Sequence, residues 1–123
     1  MSLNEDVKID LSYLDEVAGG NAEFIVEMIA IFLQQTPGYV ANLKQAFEEK
    51  DWKKIAEISH KIKPTLAFIG LHAEQQEMAN IERQARAEEN YEGIKASFEG
   101  LCNIFDLAYQ SLEVKKNELT ANL

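Results

Sequence analysis

Apolar residues return every three or four positions along almost the whole of this 123-residue chain, and that period admits helices and little else. The clearest stretch is Ile94, Phe98, Leu101, Phe105, Ala108 and Leu112. The alternation of a half-buried strand is missing, as are the Asn-Gly and Asp-Gly turns that close hairpins. An all-α chain of this length buries enough surface to fold as one domain without a staple, and its one cysteine cannot form an internal disulfide. Cys102, beside Leu101 and Phe105, reads as packing.

Capping and stop signals divide the chain. A short helix is expected over Leu11 to Ala18, N-capped by Asp10 and stopped by Gly19-Gly20. Asn21 caps a second helix, Ala22 to Gln35, whose Phe24, Ile25, Met28, Ile29, Phe32 and Leu33 imply extensive burial. Thr36-Pro37 reads as a restart, with Thr as N-cap and Pro at the first helical position, giving a third helix to about Lys50. Asp51 caps a fourth, with core residues Ile55, Ile58, Ile62, Leu66 and Ile69 and a stop at Gly70. A fifth spans about Ala73 to Glu89 with Met78, Ile81 and Ala85 inward, and a sixth starts at Tyr91, fraying beyond Lys116. Short links force antiparallel neighbours, so the expected architecture is an antiparallel four-helix bundle with additional N-terminal helices, one domain with its core at about 10–116.

Composition narrows the function. The net charge is -9, which opposes the clustered Lys and Arg that nucleic-acid backbones require. The uncharged run Met28 to Leu43 is interrupted by Gln34, Gln35, Thr36, Pro37 and Gly38, and no membrane span is expected from it. The polar, acidic start from Met1 to Asp10 lacks a signal-peptide core, so a cytoplasmic protein is expected.

The fourth helix carries the chemistry. At 100° per residue, His60 lies about 160° from the centre of its core stripe and faces outward. A solvated histidine with no role fits that position too. Ala56, Pro64 and Ala67 share its sector, where a solvated face would carry Glu, Lys or Gln, and Glu57, Lys61 and Lys63 rim it. A low, partly apolar patch around an imidazole suits a docking partner. An accessible imidazole is partly neutral near neutral pH, and its ring nitrogen can accept a phosphoryl group. Lys63, one turn on, sets an ammonium beside it, although a lysine there also serves simple solvation. Pro64 removes the amide that would bond the His60 carbonyl, yet Ile62, Leu66 and Ile69 stay in phase, so a kinked but continuous helix is expected.

The run from Ser59 to Gly70, Ser-His-Lys-Ile-Lys-Pro-Thr-Leu-Ala-Phe-Ile-Gly, resembles the phosphoacceptor helix of histidine-containing phosphotransfer (HPt) domains. The family pattern is His-x-Leu-Lys-Gly-Ser with a glycine five residues later. His60, Lys63 and Gly70 match it, Ile62 and Thr65 are conservative replacements, and Pro64 departs from it. Phe24 to Phe32 resembles the helix before the family's bundle, and Ile81-Glu82-x-x-Ala85-Arg86 its Leu-Glu-x-x-Ala-Arg segment. The resemblance implies reversible phosphoryl exchange between Nε2 of His60 and an aspartate of a response-regulator receiver domain. Lys63, Thr65 and Arg86 would then support the phosphohistidine, with Ala56, Lys61, Pro64 and Ala67 docking the partner. Thr65 also fits a local cap or packing role, and Gly70 a simple helix stop. The receiver would supply Mg²⁺, this chain would bind no cofactor or metal, and a hybrid sensor kinase would be a further partner of a monomeric intermediate that is not itself an ATP-dependent kinase.

Two other readings use the same residues. Glu57-Ile58-Ser59-His60 has the Glu-x-x-His spacing of di-iron bundles, but those need a second pair facing inward, and His72 has no Glu three residues earlier. His72 reads as a surface residue at a helix start. A helical adaptor that binds a signalling partner through the patch without being phosphorylated is the other, and Pro64 favours it.

Overall fold

The computed structural model describes residues 9–123; most of the polar start read from Met1 to Asp10 lies outside them. Five helices follow one another: α1 (Ser12–Ala18), α2 (Ala22–Glu48), α3 (Trp52–Phe68), α4 (His72–Arg86) and α5 (Tyr91–Ala121). Helices α2 to α5 form the bundle, each packed on two neighbours in the order α2, α3, α4, α5 and back to α2, with α1 laid against α2. The fold is an all-α helical bundle. Its core runs through Ile29, Leu43, Phe47, Ile55, Ile62, Leu66, Met78, Ile81, Ile94, Leu101 and Phe105.

The capping expectations hold locally. Asn21 accepts from the Phe24 amide at 3.2 Å and Asp51 from the Lys54 amide at 3.1 Å, each satisfying an orphan donor of the first turn. Asp10 accepts from both the amide and the hydroxyl of Ser12, but α1 begins at Ser12 with Leu11, not Asp10, at its N-cap. Gly19 ends α1 at φ 60°, in the left-handed region.

Three further expectations differ. No break occurs at Thr36-Pro37: α2 is one helix of 27 residues with Pro37 inside it. Ile25, Ile29, Phe32, Thr36, Leu43 and Phe47 are all buried and fall on one stripe in a single phase. Burial of that stripe outweighs the one hydrogen bond and the ring crowding that an exposed proline costs. Unbroken, α2 is long and apolar enough by length and composition to cross a membrane, unlike the interrupted run expected from the sequence; its buried stripe is packed on α3 and α5. The burial foreseen for this helix is also incomplete, since Phe24 stays 37% and Ile31 44% exposed. Finally, α5 does not fray at Lys116 but continues to Ala121, where Leu119 packs against the core.

The turn between α3 and α4 is the tightest point. Gly70 adopts φ +79°, and a Cβ there would stand 2.5 Å from Cβ and 2.7 Å from the carbonyl oxygen of Asp10. The Asp10 amide donates to the Ile69 carbonyl at 2.9 Å, so the segment before α1 is seated on this turn. Tyr13 of α1 meets Phe68 with ring centroids 5.6 Å apart. Gly70 is therefore more than a helix stop; it is also the place where two backbones touch.

Candidate functional site

Helix α3 holds His60 outward because Ile55, Ile62 and Leu66 fix the opposite side in the core. The helix is continuous from Trp52 to Phe68 with Pro64 inside it, as its apolar phase predicted. The His60 side chain is 64% exposed. Lys61 and Pro64 are exposed and Ala67 is half-buried.

Ala56 is not on this surface. It is 2% exposed, and its neighbour one turn on, Ser59, is 0% exposed. The outward placement is corrected by the packing of α4: a bundle helix has two neighbours, and its buried arc is wider than its apolar stripe. Small side chains at 56 and 59 let α4 come close to α3. That approach brings in a residue the sequence reading left without a role.

Glu82 lies on α4 between buried Ile81 and buried Ala85 and is itself only 8% exposed. Three donors converge on its carboxylate. His60 Nδ1 lies 3.0 Å from Oε2, Lys63 Nζ donates to Oε1 at 2.8 Å, and Arg86 donates to Oε2 through Nη2 at 2.8 Å and Nε at 3.2 Å. Burial alone would raise the Glu82 pKa, but the hydrogen bonds from Lys63 and Arg86 and the charges of Lys63 and His60 outweigh it and hold it down to about 2. The group is a carboxylate at every pH near neutrality. A carboxylate only accepts, so His60 contributes the proton of this bond from Nδ1. The lone pair is then on Nε2, at the edge of the ring left to water, and the ring is fixed in the tautomer and orientation of an outward-facing nucleophile.

Lys63 and Arg86 are thus drawn into the site, both through Glu82 and not through His60 directly. The Thr65 hydroxyl donates to the Ile62 carbonyl at 2.6 Å, the local role that its position also allowed. His72 is exposed at the start of α4, and Cys102 is half-buried with its thiol pKa raised by burial and by Asp106. Among the described residues, no three His, Cys, Asp or Glu side chains converge as metal ligands do. Glu82 was within reach of the sequence through Ile81-Glu82-x-x-Ala85-Arg86, where an acidic residue stands beside core positions and one turn before an arginine.

His60 thus has Nδ1 tied to a buried carboxylate and, among the described residues, no partner on Nε2. The family model for the Hpt domain matches residues 27–113. The chain belongs to the Hpt domain family, the phosphotransfer domains of two-component signalling, which partner with receiver domains and kinases. Neither the curated proteins nor the solved structures contain a match.

Proposed function

We propose that this chain is a phosphorelay intermediate that takes and returns a phosphoryl group on Nε2 of His60, in exchange with an aspartate of response-regulator receiver domains. The observation that carries the reading is the pairing of His60 Nδ1 with the ionised Glu82 at 3.0 Å, in a side chain otherwise open to water. As the N–P bond forms and the aspartyl P–O bond breaks, the Asp carboxylate leaves and the ring becomes cationic with its proton retained on Nδ1. Glu82 faces that charge as it develops, much as a carboxylate steadies the histidine of a hydrolytic triad. In the reverse direction the same bond keeps the ring a good leaving group. Lys63 and Arg86 sit close enough to turn from Glu82 toward the phosphoryl oxygens once these add negative charge.

Pro64 and Ala67, with Lys61 at the rim, form the face on which the receiver rests. The receiver would bring its own Mg²⁺, and a hybrid sensor kinase would feed the relay. The chain works in this reading as a cytoplasmic monomer.

The test is incubation with phosphorylated receiver domains and Mg²⁺. Acid-labile, alkali-stable label is expected on wild type and none on His60→Gln. Glu82→Gln keeps the shape but loses the charge, and its transfer rate is expected to fall about tenfold or more. No label from any of several receivers would leave the unphosphorylated adaptor, the reading that Pro64 favours; equal label on His60→Gln would place the site elsewhere.

A further inference from the structure

The proline one turn after the phosphoacceptor leaves a mark on His60 itself. In an α-helix the amide of residue 64 donates to the carbonyl of residue 60. Proline has no N–H, and α3 nevertheless runs on through it, so the His60 main-chain oxygen has lost its helical donor without being moved out of the helix. Nearby side-chain donors are committed elsewhere: the Thr65 hydroxyl to Ile62, the Lys63 ammonium and the Arg86 guanidinium to Glu82. His60 and Pro64 are both exposed, and carbonyls on the water side of a helix tilt outward. Pro37 strips a carbonyl in the same way, but that of half-buried Leu33, on a helix with no reactive side chain beside it.

We propose that the main-chain oxygen of His60, bared by Pro64, is a docking acceptor that takes a hydrogen bond from an N–H or O–H donor on the receiver domain seated over the imidazole. This rests on the relay reading above and adds what selects the partner. An acceptor on the same residue as the nucleophile fixes how deep and in what register Nε2 meets the aspartyl phosphate. It also discriminates. A receiver with a donor at that point satisfies the oxygen; one without it covers the carbonyl and leaves it unpaired, which weakens binding. An HPt helix with an amide at the equivalent position makes no such demand.

The test uses the full chain, ¹³C-labelled at the backbone, with a receiver domain held in its phosphorylated form by beryllofluoride and Mg²⁺. In the free chain, Pro64→Ala and Pro64→Gly both restore the amide, and each is expected to move the His60 carbonyl resonance toward the hydrogen-bonded helical range without lowering the unfolding midpoint. On adding the receiver, the wild-type His60 carbonyl resonance is expected to shift, and both variants to bind about five- to tenfold more weakly. Unchanged affinity in the variants would overturn the proposal. So would a wild-type carbonyl that stays still while the imidazole signals move, because the receiver would then be reading the proline ring or nothing at position 64. Imidazole signals that do not move at all would sink the relay reading itself and not this contact alone.

Discussion

Three donors on one buried carboxylate decide how this site answers acid. The Glu82 pKa is held at about 2, below its ordinary 4.5, so the folded form binds the carboxyl proton less readily than the unfolded chain does. Its contribution is complete above pH 4.5 and is lost as the pH falls toward 2; at neutrality it is worth roughly 3 kcal/mol. Glu82→Gln is therefore expected to be less stable than wild type at pH 7 by about that amount, with the gap closing between pH 4.5 and 2 in urea titrations. A gap that stayed constant with pH would mean that the three contacts add nothing to folding. Gly70 is the other residue with a definite demand. Gly70→Ala meets both the positive φ and the Asp10 backbone, and a loss of roughly 2–4 kcal/mol is expected in the same assay.

What could be seen of these residues beforehand followed from how local their signals are. The outward direction of His60 was legible because five apolar residues of its own helix fix the phase. The burial of Ala56 was not, because it depends on how close α4 comes, and a wheel drawn for one helix contains no second helix. For Glu82 the motif marks the residue but not its role: a glutamate in an amphipathic pattern reads as solvated until the partners that satisfy it, 19 and 22 residues away, are in place.

At the scale of elements, two helices keep their course through an internal proline, α2 at Pro37 and α3 at Pro64. Continuity was read correctly for α3 and missed for α2, although the argument from phase was the same. Thr36-Pro37 carries a good cap signal, and in α2 the buried stripe on either side of it overrides that signal. The exposed proline remains a local defect. Pro37→Ala is expected to add about 1–3 kcal/mol, seen as a higher denaturation midpoint at unchanged slope. A destabilised Pro37→Ala would show that the ring makes a contact worth more than the missing hydrogen bond. The tail beyond Lys116 was expected to fray; Leu119, packed against the core, holds the helix to Ala121.

For the molecule as a whole, the bundle was legible because it depends on period and link length, both carried by the chain one residue at a time. The charge balance has a consequence at this scale alone. With a net -9 spread over a small bundle, like charges repel across the surface, and the surface pairs Lys115–Glu118 and Lys116–Glu113 near the end of α5 do little to offset them. Raising sodium chloride from about 20 to 200 mM is expected to raise the Tm by a few degrees as the field is screened. A fall in Tm would mean that attraction, not repulsion, governs the surface.

The bond from the Asp10 amide to the Ile69 carbonyl joins residues far apart in the chain, over a glycine that leaves no room between them. Deuterium should therefore enter at Asp10 only when the hairpin of α3 and α4 comes away from the strand of chain laid across its bend. That single amide would act as a clock for the event, slow in the intact protein and quickened by any change that loosens the hairpin under His60.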